Sequence, residues 1–300
     1  MRASGRMPLP RPIAPRPMPP APRSGRVLLA SLCLALAATA PAAARQAPAA
    51  TLSTEAEIAA EFASVPCDNS ARLDATRALF ERMGAPADAI RIDHHDDVDN
   101  LVVVKPGTST ETLVVGAHYD KVAKGCGAID NWTGVVALAH LYRTLRQFAP
   151  AKTLVFVAFG REEHGLVGSR AMTAAIPDDR VASYCAMVNL DSLGLAAPQV
   201  ADNMSSKAMV AFAESVAKEL QVPFGHARIG GANSDSTPFV KRGIPALTLH
   251  GLDSNGLRVL HSPRDQAERV NATSVYLGYR LALAMLARLD QAPCTAQRDD

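Results

Sequence analysis

The chain of 300 residues lacks several patterns that would place it in common protein classes. It has no Cys-x-x-Cys pair, so a structural zinc ribbon is not supported. It has no Gly-x-Ser-x-Gly sequence, so no serine is a candidate for the nucleophile of a serine hydrolase. We see no internal repeat and no second domain. Beyond an N-terminal segment, about 250 residues are left, which suits one large domain with a full core.

The apolar stretch Val27–Ala40 is 14 residues long, short of the roughly 20 that span a membrane. It follows six arginines without any acidic residue and precedes Pro-Ala-Ala-Ala at 41–44. Residues 1–44 are therefore predicted to be a secretory signal peptide. An uncleaved anchor, or a start codon misassigned upstream of Met18, is the alternative. We expect a periplasmic or secreted protein without stable membrane association after cleavage.

Acidic residues slightly outnumber basic ones once this segment is set aside. The whole chain has a formal charge of +2, and without the six arginines of residues 1–44 it has about −4. There is no basic patch that would indicate nucleic acid as a partner. The sequence leaves the oligomeric state open.

Four cysteines follow the signal segment: Cys67, Cys126, Cys185 and Cys294. They allow three pairings, among which sequence alone does not choose. Because Cys67 and Cys294 flank the core at opposite ends of the chain, we predict a disulfide between these two.

Short apolar runs alternate with helical patterns along the rest of the chain. Strands are predicted over 101–104, 112–115, 154–159, 184–190 and 246–249, and helices over 54–64, 70–83, 135–148, 166–175, 207–220 and 272–289. Strands that are apolar on both faces and alternate with helices favour an α/β fold with a mostly parallel central sheet between helices. We predict a disordered lead-in at 45–53, one domain at 54–292 and a C-terminal tail at 293–300.

His118 and Asp130 lie in Gly-rich stretches that follow a predicted strand. His118 ends its strand, and Asp120 is placed to accept the free N–H of the imidazole ring, which would fix the tautomer of a metal ligand. A structural histidine is the alternative. Asp130 precedes a helix and can be either an N-cap or a carboxylate that bridges two cations.

Two adjacent acids, Glu162 and Glu163, follow the third strand. Like charges raise each other's pKa, so this pair is costly to bury without a cation. One can bind metal while the other holds the nucleophilic water; a solvated surface turn is the alternative. Asp191 ends the fourth strand and His261 lies before the last helix. His164 is interpreted as a bystander, and Ser234–Asp235 as a loop that shapes the pocket.

Active sites of such sheets form beyond the carboxyl ends of the strands, so these side chains are expected to converge. Their order resembles the secreted di-zinc aminopeptidase family, which also contains the glutaminyl cyclases. The resemblance covers roughly Leu101–Leu289. It is carried by Gly-Ala-His-Tyr-Asp at 116–120, Gly-Ala-Ile-Asp-Asn-Trp-Thr-Gly at 127–134, Glu-Glu-His-Gly-Leu-Val-Gly-Ser at 162–169, Asn-Leu-Asp-Ser at 189–192 and His-Ser-Pro-Arg-Asp at 261–265.

The resemblance implies a phosphorylase/hydrolase-like exopeptidase fold and two zinc ions per chain. Asp130 would bridge the ions, His118 and Asp191 would complete one ligand shell, and Glu163 and His261 would complete the other. Glu162 would be the general base for the metal-bridging water, and Asp120 would orient His118.

The expected activity is that of an aminopeptidase acting on peptides with a free N-terminus. The alternatives are a glutaminyl cyclase with a single zinc and a non-catalytic domain of the same fold. Phe239, Leu252 and Leu257 are candidate walls of the substrate pocket. Side-chain preference, and the choice between aminopeptidase, dipeptidase and carboxypeptidase, depend on pocket geometry that the sequence does not give.

Overall fold

The computed structural model describes residues 51–299, so the predicted signal peptide lies outside the described part. The described residues form seven α-helices: α1 (Glu55–Ala60), α2 (Arg72–Arg82), α3 (Thr133–Leu145), α4 (Val167–Ala174), α5 (Lys207–Leu220), α6 (Ser236–Lys241) and α7 (Ala272–Gln291). The eight strands are β1 (Ile90–His95), β2 (Val98–Lys105), β3 (Thr112–His118), β4 (Thr153–Phe159), β5 (Tyr184–Leu190), β6 (Gln199–Ala201), β7 (Gly225–Ala227) and β8 (Ala246–His250).

All eight strands belong to one sheet with the order β1-β2-β4-β3-β5-β8-β6-β7. Its centre, β4-β3-β5-β8, is parallel, whereas β1–β2, β2–β4 and β6–β8 are antiparallel pairs. The predicted fold class, a central sheet between helices that is parallel in its core, is therefore confirmed. The carboxyl ends of the four central strands lie at one edge, where ligands bind in open α/β sheets.

The core has two layers because successive side chains of a strand face opposite sides of the sheet. In β3, Leu113 and Val115 pack into a large cluster with α3 and α7, while Val114 packs into a smaller one with Phe239 of α6. All seven residues of β3 are buried. This explains why the central strands are apolar on both faces.

The five predicted strands are all present. The six predicted helices also occur, the one over 207–220 with the predicted ends and the other five with shifted ends. Three strands and α6 were missed. β6 and β7 have only three residues each, and β1 has polar side chains at four of its six positions, so none shows an apolar run. α6 has only six residues and includes Pro238, which lies in the first helical turn, where proline is tolerated.

The folded domain includes the end of the segment predicted to be a disordered lead-in. Ser53 is buried, and its backbone N–H donates to the Tyr279 hydroxyl at 3.1 Å. Its hydroxyl lies 2.8 Å from Nδ1 of His140 in α3. None of the helices within residues 51–299 combines the length and hydropathy needed to cross a membrane.

The predicted disulfide between Cys67 and Cys294 is wrong. Cys67 pairs with Cys126, and Cys185 pairs with Cys294. Arg72 shows why the first pair forms, because its guanidinium donates to the carbonyls of both Pro66 and Cys126 and so holds the two segments together. Position along the chain does not reveal such neighbours.

Candidate active site

His118, the last residue of β3, is fully buried at the carboxyl edge of the sheet. Its Nδ1 lies 3.1 Å from the backbone carbonyl of Asp120 and 3.5 Å from the carboxylate of the same residue. Both partners are acceptors, so they favour a proton on Nδ1, which leaves Nε2 as the ring nitrogen that would bind a metal ion. The Asp120 carboxylate also accepts the backbone N–H groups of Glu162 and Glu163, at 2.9 and 3.2 Å. Asp120 thus fixes both the ring and the acidic turn.

Asp130 lies in the turn Ala128–Trp132, between β3 and α3. Its Oδ1 is 3.1 Å from Nε2 of His118, and its Oδ2 is 3.2 Å from Nε2 of His261. The turn begins at Gly127, whose φ of +61° is readily adopted only by glycine. The two oxygens of one buried carboxylate therefore face two different histidines.

The N-cap interpretation of Asp130 does not hold. The capping contact comes from Asn131, whose Oδ1 accepts the backbone N–H of Gly134 at 3.0 Å. The same oxygen accepts the N–H of Ser192, and the amide nitrogen donates to the Leu190 carbonyl at 2.8 Å. Asn131 ties the start of α3 to the end of β5, which leaves the Asp130 carboxylate free for the site.

Glu162 and Glu163 occupy a single 3₁₀ turn after β4. Glu163 places Oε2 2.9 Å from Nε2 of His261, while its buried Oε1 has no hydrogen-bond partner among the described residues. Glu162 points to the other side, toward His118 and Asp191. The two side chains diverge, so the solvated-turn interpretation does not describe them. The exposed His164 comes no closer than 4.0 Å to the Asp120 carboxylate.

Asp191 follows β5, with Oδ1 3.5 Å from Nε2 of His118. Its Oδ2 accepts a hydrogen bond from the Ser234 hydroxyl at 2.5 Å, so Ser234 orients a site carboxylate. His261, in the loop before α7, is the most exposed member of the site, with 56% of its side chain accessible.

These contacts define two donor sets in which the ligand atoms lie within 4.8 Å of one another: His118, Glu162 and Asp191 form one, and Asp130, Glu163 and His261 form the other. Every residue that the sequence predicted for the site lies in one of the sets or, as Asp120 does, directly behind them. A third set, Glu111 with Cys185 and Cys294, is discounted because these cysteines form a disulfide.

Three acids at or beside the site, Glu162, Glu163 and Asp235, lie where negative charge is unfavourable. Burial raises the pKa of Glu162 well above its usual range, and Asp191 and Asp235 add to the effect against the opposing influence of His118. Burial also raises the pKa of Glu163, although its bond to His261 acts in the opposite direction. Asp235 reaches a pKa of about 7, again chiefly through burial.

The histidines show the complementary effect. Burial lowers the pKa of His118, but Glu162 and the hydrogen bonds to Asp120, Asp130 and Asp191 outweigh it, so the net pKa is well above the usual value. Hydrogen bonds to Asp130 and Glu163 raise the pKa of His261 to about 10. The site therefore favours positive charge, and the unpartnered Oε1 of Glu163 is available as a further metal ligand. Imidazoles with carboxylates suit zinc, so the residues fit divalent metal ions.

Sequence reasoning missed two residues that support the site. Asp265 is buried and accepts the backbone N–H groups of Ile129 and Asp130, at 2.6 and 3.1 Å. It was visible as the last residue of the His-Ser-Pro-Arg-Asp run, but nothing in that run shows which loop it contacts. Arg72 is buried on α2 and lies 5.4 Å over the Trp132 ring; a lone arginine at a helix start gives no such signal.

A pocket of about 300 Å³ adjoins both donor sets. Its apolar wall consists of Met204, Ile229, Leu252, Leu257 and Leu260. Leu252 and Leu257 are therefore pocket walls, as expected. Phe239 is not, because α6 packs it fully buried against the sheet, in the smaller core layer.

The fold and the paired donor sets are those of an α/β protein built to hold metal ions at the carboxyl edge of its sheet. Residues 100–285 match peptidase family M28, and the chain belongs to this family.

Known relatives share part of this chain. It is 27% identical over 216 residues to a "Probable leucine aminopeptidase" of Arthroderma otae, covering 65% of this chain and 58% of that protein. It is 26% identical over 169 residues to "Aminopeptidase YwaD" of Bacillus subtilis, covering 54% of this chain and 37% of that protein. The chain thus spans less than two thirds of the length of these relatives.

Solved structures share the fold. "BSAP, a zinc aminopeptidase from Bacillus subtilis" superposes with a TM-score of 0.58 at 23% identity, over 67% of this chain and 53% of that one. Legionella LapA gives 0.66 at 18% identity, over 79% and 73%. An "Acidobacteriales bacterium glutaminyl cyclase" also gives 0.66 at 18% identity, over 79% and 94%.

Proposed function

We propose that this protein is an aminopeptidase that uses two zinc ions to remove the N-terminal residue of peptides. The observation that carries the proposal is the position of Asp130, whose two carboxylate oxygens lie 3.1 and 3.2 Å from the Nε2 atoms of His118 and His261. A carboxylate placed between two donor sets is suited to bridge two cations. Membership of peptidase family M28 and the similarity to relatives named as aminopeptidases support this choice.

His118 and Asp191 would hold one ion, Glu163 and His261 the other, and Asp130 both. Zinc bound in these positions would lower the pKa of a coordinated water and polarise the scissile carbonyl. Asp120 keeps His118 in the tautomer that presents Nε2, since its acceptor atoms hold the proton on Nδ1.

Glu162 would move the proton. Its carboxylate makes no hydrogen bond to any other residue within 51–299, and it lies within 4.8 Å of the ligand atoms of His118 and Asp191. From there it can take a proton from the attacking water and pass it to the amine that leaves. The apolar wall of the pocket would receive the side chain of the N-terminal residue, so we expect Leu, Met or Phe to be preferred over charged residues.

The test combines metal content with substrate requirements. The purified protein should contain two zinc ions per chain and should cleave a leucyl peptide but not its N-acetylated form. A chelator should abolish cleavage, and zinc should restore it. A protein without zinc, or hydrolysis untouched by the chelator, would overturn the proposal.

Glutaminyl cyclisation is the second candidate, favoured by the similar fold of the Acidobacteriales glutaminyl cyclase. Against it stands the complete second donor set, Asp130 with Glu163 and His261. Formation of pyroglutamate from a peptide with N-terminal Gln, together with one tightly held zinc ion, would reverse the preference.

We also propose that the protein is exported. The composition of residues 1–44 supports this, and so do the two disulfides, which persist in oxidising compartments. Mass spectrometry of the native protein should find an N-terminus near residue 45 in the periplasm or medium. A protein that retains Met1 in the cytosol would contradict this.

A further inference from the structure

A second, larger cavity of about 820 Å³ opens beside the catalytic pocket. The two cavities share Glu162, Glu163, His261 and the loop 231–233. The larger one extends from the catalytic carboxylates between α4 and α6. It is therefore continuous with the place where a substrate would react.

The larger cavity becomes cationic away from the catalytic residues. Its remaining charged lining residues are Arg170 of α4, Lys241 of α6 and Arg242, which follows α6. Together they define what we call the basic groove. This local charge contrasts with the net negative charge of the chain beyond residue 44.

Two of these cations lack an internal partner. Arg242 donates to the Ile176 carbonyl at 2.9 Å and pairs with Asp178. Arg170 and Lys241, in contrast, are exposed and form neither a salt bridge nor a side-chain hydrogen bond within residues 51–299. They are available to a ligand in the groove.

The two cavities suit different parts of a peptide. The smaller pocket, of about 300 Å³ and with one apolar wall, suits the side chain of a single N-terminal residue. The remainder of the substrate varies in length and needs an open path, which the basic groove provides. Glu162 lines both cavities, as expected if the scissile bond lies at their junction.

We propose that the basic groove recognises a carboxylate in the part of the peptide released by cleavage. This carboxylate is either an acidic side chain or the C-terminus of a short peptide. The inference rests on the proposed aminopeptidase function and names its substrate class. Because Arg170 and Lys241 are exposed, the preference is modest, about 3–10-fold in kcat/KM, and weakens with salt.

The experiment compares matched substrates on the zinc-loaded protein. One arm pairs Leu-Ala-Glu-NH2 with Leu-Ala-Gln-NH2, and the other pairs Leu-Ala with Leu-Ala-NH2. Leucine p-nitroanilide, whose leaving group has no carboxylate, reports the basal activity. Wild type should prefer the substrate with the carboxylate in at least one pair. The pair that shows the preference tells whether the groove recognises an acidic side chain or a C-terminus.

The double variant Arg170→Gln/Lys241→Gln should bring that preference close to 1 and leave cleavage of leucine p-nitroanilide unchanged. Lys218→Gln is the matched control, because Lys218 is exposed on α5 and outside the groove. It should keep the wild-type preference.

The inference would be overturned if wild type had the same kcat/KM for the two substrates of each pair, or if the preference survived in the double variant. The aminopeptidase proposal would stand in both cases. Failure to cleave any substrate with a free N-terminus, including leucine p-nitroanilide, would overturn both.

Discussion

Asp130 and Asn131 are adjacent in one turn but have different roles. Asn131 caps α3 and ties it to β5, so the Asp130 carboxylate can face His118 and His261. Gly134 makes this possible, since a Cβ there would collide with the Asn131 side chain and the Leu190 carbonyl. The division could not be assigned from the sequence, because both residue types are good N-caps.

Glu162→Gln tests the proton-transfer role directly. The amide has nearly the same shape but cannot accept the proton, so we expect kcat to fall by about 10²–10⁴-fold while both zinc ions are kept. Steady-state kinetics and metal analysis measure the two effects. Glu268→Gln, at an exposed position, is the control. A loss of less than about tenfold would remove Glu162 from this role.

His140 predicts a pH dependence of stability that is independent of the metal site. Burial lowers its pKa from 6.5 to about 4. The unfolded chain therefore binds a proton below pH 6.5 that the folded protein resists, so stability is full above this pH and declines as the pH falls toward 4.

The contribution of His140 between pH 7 and 4.5 should be about 2 kcal/mol. Urea unfolding at the two pH values measures it, with His140→Asn as the comparison. The variant should lose less stability on acidification than wild type. Equal losses would show that His140 is not held neutral.

At the scale of elements, the catalytic edge is assembled by loops that bond to one another. Asp120 holds the turn after β4, and Asp265 holds the turn before α3 from a loop 135 residues further along the chain. The site depends on these bonds between loops.

Asp265→Asn should loosen the bridging turn. One of its two acceptor oxygens becomes an N–H donor facing a backbone N–H, so we expect zinc affinity to fall by about 10–100-fold, as when groups behind metal ligands are altered. Chelator competition measures the affinity, and circular dichroism checks the fold. Asp179→Asn, exposed and remote, should change neither. Unaltered zinc affinity would contradict the role assigned to Asp265.

At the scale of the whole molecule, the C-terminal segment is part of the domain. Cys294 pairs with Cys185 near the start of β5, and Asp299 accepts the backbone N–H groups of Lys207 and Ala208 at the start of α5. Cys185 and Asp191 lie at opposite ends of β5, so the disulfide is remote from the site.

Cys185→Ser/Cys294→Ser should lower the free energy of unfolding by about 2–4 kcal/mol, because the disulfide closes a long loop. Urea denaturation measures the change. At 25 °C the kcat/KM for a leucyl peptide should stay near that of wild type. A large loss of activity in the folded variant would show coupling between the disulfide and the site.

Much of the fold was predictable because central strands, buried on both faces, read as apolar runs between helices. β1, β6 and β7 were not, since these strands, at or next to the edges of the sheet, owe their conformation to pairing rather than to their own pattern. The candidate site residues were predictable because each follows a strand of the parallel centre. Asp265 and the disulfide partners were not, because no local pattern records which loops meet.

The sequence by itself determined the class of the fold, the order of the candidate ligands and their place beyond the strand ends, since these depend on local pattern and on the rules of parallel sheets. Only the tertiary structure decided that the two oxygens of Asp130 face separate histidines, that Glu162 and Glu163 diverge, and that a basic groove adjoins the pocket. Those features depend on how segments remote in the chain lie against one another. Packing, and hydrogen bonds that form only on folding, fix that arrangement.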